Sequence, residues 1–199
     1  MPLLPLEPFV FPDDLLTNPE CNPDDQGRWW VLHSRPRAEK ALARRLFSGN
    51  LSYFLPLYKR QWRNRGRFLC SHVPLFPGYV FLYGDSQARL QALTTNLLAG
   101  VLHVDDQPQL QADLVRVFRL MATGEPLGPE ERLQPGTPVE IVSGPLAGLE
   151  GKVLRRGKNL RFSVEIEFLQ RGVSVDIEGW MIQPLCGSGP EAMASGAGR

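Results

Sequence analysis

The chain is poor in the features that announce most chemistries. It has three cysteines in 199 residues, Cys21, Cys70 and Cys186, an odd number set far apart. They suit neither a disulfide framework nor a zinc site, and a reducing compartment, the cytoplasm, is expected. No run approaches the ~18 apolar residues of a spanning helix, so no membrane association is expected. The apolar start, Met1 to Leu16, is broken by prolines at 2, 5, 8 and 12 and by Glu7, Asp13 and Asp14. It lacks a basic head and does not read as a secretory signal. There is no Walker loop, dinucleotide-binding glycine pattern, His-Glu-x-x-His or Gly-x-Ser-x-Gly. His33, His72 and His103 stand alone, and the paired acids fall in expected loops. No catalytic residue, metal or cofactor is therefore expected, and the chain does not read as an enzyme.

What is present is a charge excess confined to one segment. Residues 1–27 carry six acids and no Lys or Arg; residues 28–104 carry twelve basic residues against two acids. Residues 105–131 return to two against six, and residues 132–185 hold seven against six. A +10 segment inside a chain of net charge +1 points to a polyanion, most simply nucleic acid.

Periodicity divides the chain into two units. Residues 1–27, rich in Pro and Asp, read as an irregular acidic arm. Trp29–His33 has the length and composition of a strand. A helix follows from Ser34-Pro36 to Gly49-Asn50, with Ala38, Ala41, Leu42 and Leu46 on one stripe. Tyr53–Leu57 is a strand leading into a hairpin whose turn is Asn64-Arg65-Gly66-Arg67. Pro74–Gly78 is a kinked connection and Tyr79–Tyr83 a further strand. Asp85 or Ser86 caps a helix carrying Leu90, Leu93 and Leu97. Gly100–Val104 is a strand, and Gln111–Met121 a helix closed by Gly124. Residues 124–135 form a Pro- and Gly-rich linker. Beyond it only short strands are expected, about five in residues 136–185. In Arg161–Phe168 the residues Phe162, Val164, Ile166 and Phe168 face one way, as in a small barrel. Residues 186–199 read as a flexible tail. The fold class is α+β: an antiparallel sheet flanked by helices at 28–123, joined by the linker to a small all-β SH3-like barrel.

Two constellations carry a family resemblance. Val139-Glu-Ile-Val-Ser-Gly-Pro-Leu-Ala-Gly-Leu-Glu-Gly-Lys-Val resembles the KOW motif of small barrels in transcription elongation factors and ribosomal proteins. Trp29-Trp30-Val-Leu-His, Tyr53-Phe54-Leu55-Pro56 and Pro74-Leu75-Phe76-Pro77-Gly78-Tyr79-Val80-Phe81 resemble the N-terminal domain of the NusG family. The order of domain, linker and barrel covers residues 28–185. Leu75–Tyr79 and Gly100–Val104 are closest to specialised paralogues such as RfaH.

The resemblance implies a transcription elongation factor, acting in pausing, termination or antitermination. It implies a monomer that holds the β′ clamp helices of RNA polymerase in an aromatic pocket, matched here by Tyr53, Phe54, Phe76, Tyr79 and Phe81. It implies that a ligand of this kind acts by favouring one state of the polymerase over another. The basic residues Arg35, Arg37, Lys40, Arg44, Lys59, Arg60, Arg63, Arg65 and Arg67 would face DNA at the transcription bubble, with Trp62 stacking on an exposed base. The barrel would recruit either NusE, and so the ribosome, or Rho, through Leu146 and Leu149. The RfaH His-Thr-Thr element is replaced by Gln91-Ala92-Leu93, and the β-rich C-terminal segment favours a barrel over a helical hairpin. The competing reading is a KOW-type RNA-binding or ribosome-associated structural protein. It needs the basic excess on the barrel segment, whose net charge is only +1.

Overall fold

In a computed structural model of the chain, the described residues are 8–17, 27–64, 67–130, 136–144, 146–156, 159–177 and 181–185. The first unit is built on a sheet of five strands: β1 (Val10–Phe11), β2 (Arg28–Ser34), β3 (Ser52–Phe54), β6 (Tyr79–Gly84) and β7 (Leu98–Leu102). Their spatial order is β1-β3-β6-β2-β7, every pair antiparallel. β4 (Leu57–Asn64) and β5 (Arg67–Pro74) pair only with each other, as the expected hairpin.

The sheet is covered on both faces. On one side lie α1 (Glu39–Ser48) and α2 (Ser86–Thr94), packing Leu42, Ala43, Leu46 and Ala92 onto Trp30, Leu32, Tyr53, Val80 and Leu82. On the other lies α3 (Gln107–Ala122), whose Leu110, Leu114, Val117 and Leu120 join Trp29, Val31, Phe54 and Phe81. Strand residues at period two therefore alternate between two interiors.

Local chemistry explains the helix ends. α1 begins later than the Pro36 signal indicates, because Arg37 takes a left-handed φ of 61° before the Ala38 cap. Asp85 caps α2 by accepting from the Ala88 N–H at 2.8 Å, and Asp106 caps α3 from Gln109 at 2.9 Å. α3 is clipped to β2 by Gln107, whose side chain accepts from the Trp29 N–H at 2.7 Å and donates back to the Trp29 carbonyl at 3.1 Å. The Trp29 indole donates to Gln111.

The arm departs from expectation where it is described. Residues 8–17 are part of the domain: Val10 and Phe11 pair with Phe54 and Tyr53, and Leu15 and Leu16 are buried. The Tyr53 hydroxyl donates to the Pro8 carbonyl at 2.7 Å. The apolar side chains that cover this sheet edge outweigh the acidic residues between them, which stay at the surface. The rest of the arm, the turn residues 65–66, the linker residues 131–135 and the tail lie outside the described residues.

α2 also differs. Of its expected stripe, Leu90 and Leu93 are 48% and 39% exposed, and only Ala92 of the helix is buried. Gly84 lets α2 approach β6 so closely that a Cβ there would meet Ala88 Cβ at 2.8 Å, and the contact runs through small residues.

The second unit is a six-stranded sheet in the order β13-β9-β10-β11-β12-β8. It comprises β8 (Gly128–Glu130), β9 (Thr137–Ile141), β10 (Glu150–Arg156), β11 (Asn159–Ile166), β12 (Arg171–Ile177) and β13 (Ile182–Pro184). β8 comes from the segment expected to be linker and pairs with β12, so residues 123–127 alone connect α3 to the barrel sheet. Phe162, Val164 and Ile166 point inward as their alternation indicates, but Phe168 is exposed because the strand ends at Ile166 and a 3₁₀ turn, Glu167–Leu169, follows. Gly151 is required by packing: a Cβ there would stand 2.6 Å from Phe162 Cζ and 2.6 Å from the Ser163 carbonyl oxygen.

The units touch through α3. The Asp113 carboxylate, 1% exposed, accepts from the Glu167 N–H at 3.0 Å and from Gln109 Nε2 at 2.9 Å, and pairs with Arg116. Arg171 of β12 lies 5.2 Å over the Tyr79 ring, and its Nη1 donates to the Pro77 carbonyl at 3.3 Å.

Candidate functional site

The end of the first sheet where β2 finishes and β6 begins, His33 opposite Tyr79, gathers most of the expected functional residues. The hairpin leaves from this end, flanked by Pro56 and by Leu75-Phe76-Pro77-Gly78. Gly78 turns the chain with φ 88°, and its N–H donates to the buried Glu39 carboxylate at 2.8 Å. Glu39, the first residue of α1, thereby ties the kinked connection to the helix.

The hairpin presents its charge to solvent. Lys59, Arg60 and Arg63 are exposed, with Lys59 opposite His72 and Arg60 opposite Ser71. Trp62 pairs with Leu69 and Arg67 with Asn64 in the backbone register, while Arg65 lies outside the described residues. Arg35 and Arg37 are exposed in the turn before α1 at this same end of the sheet; Lys40 and Arg44 lie one turn apart on α1 and are half-buried. Facing charges on a two-stranded ribbon and a neighbouring turn suit an extended polyanion.

The five rings expected to form an open pocket are not arranged that way. Tyr53, Phe54, Phe76 and Phe81 are buried, at 0%, 0%, 1% and 0% exposure. Phe81 lies 6.2 Å from Phe54 and 6.1 Å from Phe76, and Phe118 of α3 stands edge-on to Phe54 at 6.2 Å. The cause is the double cover of the sheet: α1 covers Tyr53 on one face, and the arm and α3 close the other over Phe54, Phe76 and Phe81. Tyr79 alone is half-exposed, stacked on His33 at 5.3 Å with Arg171 against it. The barrel leucines are likewise interior. Leu146 and Leu149 are 5% and 3% exposed and belong to the core cluster, since the loop closes on itself through Gly148 N–H to the Ile141 carbonyl at 2.7 Å.

An open apolar groove does exist, a few residues away. It has a volume of about 740 Å³ and is walled by Phe9, Leu57, Tyr58, Met121 and Leu127, with Lys59, His72 and Glu125 at its polar edge. Four separate segments build it: the arm, the hairpin base, the end of α3 and the start of the connection. Phe9 reaches both Phe54, at 6.5 Å, and Phe118, at 6.3 Å, so the groove floor rests on the buried rings. Sequence reasoning misses these residues. The triplet Phe9-Val10-Phe11 is the available signal, hidden among prolines and acids.

One ionisable group here is displaced. Burial pushes the Asp113 carboxyl above its ordinary range, against the opposing pull of the Glu167 N–H and of Arg116. It sits at the junction of α3 with the barrel, beside a cavity of about 300 Å³ that is also lined by Glu150, Lys152 and Glu165. Lys152 Nζ pairs with Glu165 at 2.5 Å. Among the described residues no group of three His, Cys, Asp or Glu is placed to hold a metal ion, and no helix is long and apolar enough to cross a membrane.

Residues 27–113 match the family described as NusG, transcription termination factor nusG. No curated protein matches the chain. A solved structure, the crystal structure of the MjSpt4:Spt5 complex in conformation B, is similar at 15% identity, covering 79% of this chain and 96% of that one, with a TM-score of 0.24. That superposition is too loose to inform the arrangement of the units. Residues 27–113 span the β2-to-α3 core, the hairpin included, so the similarity to that family falls on the first unit.

Proposed function

We propose that the chain is a transcription elongation factor that docks on RNA polymerase through the groove of Phe9, Leu57, Tyr58, Met121 and Leu127. The observation that supports this most is an apolar concavity directly beside an exposed basic hairpin, in a unit similar to the NusG family. A groove of this volume walled by Phe9 and Tyr58 suits a helical protrusion such as the tip of the β′ clamp helices: large rigid side chains give contact area at small entropic cost. The buried rings Phe54, Phe76 and Phe81 support the groove from beneath, whereas Tyr53 packs under α1 on the other face of the sheet and Tyr79, between His33 and Arg171, stands outside the groove. With the groove engaged, Lys59, Arg60 and Arg63 face DNA at the bubble. Arg35 and Arg37 extend that surface. The factor then works without chemistry of its own, by binding one state of the polymerase more tightly; ~1–3 kcal/mol of preference changes pause escape ~5–150-fold.

The barrel is the recruiting unit, for NusE or for Rho. Because Leu146 and Leu149 are interior, the contact falls to the exposed members of its surface, Ala147, Gly148 and Val142. The deciding experiment is in vitro transcription on a pausing template with wild type, Tyr58→Ala and the double variant Arg60→Glu, Arg63→Glu. Tyr58→Ala is expected to weaken polymerase binding about thirtyfold. The double variant is expected to bind polymerase but lose crosslinking to DNA. A Tyr58→Ala protein with unaltered pause lifetimes and affinity refutes the groove assignment. A ribosome-associated protein, by contrast, would co-sediment with ribosomal subunits and leave pausing untouched.

A further inference from the structure

The opposite end of the sheet carries a second basic constellation that the polymerase reading does not use. There Arg28 lies across from Gly84, a strand's length from the hairpin end, roughly 17 Å at ~3.4 Å per residue. The Trp30 indole is buried, and its Nε1 donates to the Gly84 carbonyl at 3.0 Å. Two guanidinium groups lie over this ring, Arg28 Cζ at 4.8 Å and Arg89 Cζ at 5.2 Å from its centroid, and His103 meets it edge-on at 6.5 Å.

The hydrogen bonds show how the group is oriented. Arg28 Nη2 lies 3.1 Å from His103 Nε2, and a guanidinium can only donate, so Nε2 accepts. The ring proton is then on Nδ1, which donates to Asp105 at 3.1 Å. Arg28 Nη2 also donates to the Val104 carbonyl at 3.0 Å. A single nitrogen of Arg28 is thus anchored. The Nε atoms of Arg28 and Arg89 are buried without a hydrogen-bond partner, and among the described residues neither guanidinium is paired with a carboxylate. The nearby acids are engaged elsewhere: Asp85 caps α2 and Asp105 holds His103.

Stacking on an indole fixes a guanidinium plane, and with Nε buried the donors left for a ligand are its terminal nitrogens. The side-chain entropy is then lost on folding and not on binding. Two guanidinium groups held against one ring, neither paired with a carboxylate, offer donors of the kind that phosphate oxygens accept. We propose that Arg28 and Arg89 form a phosphate clamp on Trp30, with Asp105 and His103 as positioning residues for Arg28. The clamp takes a phosphate group, from a nucleic-acid backbone or from a free phosphoanion, and it stands independently of how the polymerase is held.

The test observes the arginine Nε–H resonances of the full chain by NMR, identified through their proximity to the Trp30 ring, during titration with inorganic phosphate. Both are expected to shift saturably, with chloride at equal ionic strength having no such effect. In parallel, the affinity for a short single-stranded oligonucleotide is measured against salt for wild type and for the double variant Arg28→Gln, Arg89→Gln. A log–log slope shallower by about 0.7 in the variant, the value of one lost phosphate contact, identifies the backbone as the source. An unchanged slope with responsive resonances identifies a free phosphoanion. Resonances that respond to neither phosphate nor oligonucleotide overturn the clamp, and that result needs no variant to fold.

Discussion

Replacing Phe81 by alanine separates the two roles an aromatic ring can have in this domain. Phe81 is fully buried, with Phe54 6.2 Å and Phe76 6.1 Å away and α3 closing over them. Removing such a ring costs ~3–5 kcal/mol, towards the upper end where rigid neighbours prevent collapse of the cavity. Against a stability of ~5–15 kcal/mol this is a large fraction of the total. With a urea m-value of ~2 kcal/mol/M, the midpoint falls by about 2 M. Tyr58 lines the groove and is half-buried; its truncation lowers the midpoint by no more than about 0.5 M, a cost of ~1 kcal/mol. As an interface anchor, however, it is worth at least ~2 kcal/mol of binding, about thirtyfold in Kd. Urea unfolding followed by tryptophan fluorescence, with polymerase affinity measured in native buffer, reads both quantities. The expected pattern is crossed: Phe81→Ala loses stability and, once folded, keeps most of its affinity, whereas Tyr58→Ala does the reverse. A Phe81→Ala protein of wild-type stability that no longer binds polymerase would place the ring at the surface and refute this reasoning.

Two other outcomes rest on single contacts. Asp113 titrates above the ordinary carboxylate range because it is buried, so the folded protein holds this proton more tightly than the unfolded chain. Its contribution to stability is complete below pH ~4 and is lost as pH rises through the displaced value. Urea midpoints between about pH 3.5 and pH 6 should show this loss in wild type and a flatter profile in Asp113→Asn. Gly151→Ala should destabilise the second unit by ~1–3 kcal/mol or more, since the new methyl meets backbone as well as Phe162, and calorimetry should show the lowered thermal midpoint.

Elements with strong local periodicity are legible in the amino-acid sequence: β2, α1, β6, α3 and β9 to β12 all lie where alternation or a helical stripe puts them. β1 and β8 are not legible there. They are two and three residues long, and each exists only through a partner far along the chain, Val10 with Phe54 and Pro129 with Val173. No local pattern encodes such pairing. The site is obscured for the same reason. Alternation in Tyr79–Tyr83 separates two faces, but it cannot show that both are covered, because the covering elements are the arm and α3. Phe54 and Phe81 do cluster, beneath the surface and not on it. The charge distribution is more directly readable: Lys59, Arg60 and Arg63 are exposed because a two-stranded ribbon has no interior to hide them in.

The placement of the barrel bears on whether the factor is always ready to bind. α3 divides its surface: Gln109, Asp113 and Arg116 line the junction with the barrel, while Phe118 and Met121 turn to the arm and the groove. Among the described residues none of β9 to β13 lines the groove; only Gly124, Glu125, Pro126 and Leu127 of the connection reach it. A docked barrel is therefore compatible with an occupied groove. Asp113→Lys tests this, because it puts a cation against the Glu167 N–H, removes the acceptor that joins the two units and faces Arg116 with like charge. Small-angle scattering should show the expansion of a released barrel, and polymerase affinity should stay within about twofold of wild type, a difference of ~0.4 kcal/mol. A tenfold gain in affinity on release would mean that the docked barrel opposes binding by ~1.4 kcal/mol, and the division of α3 into two independent faces would be wrong.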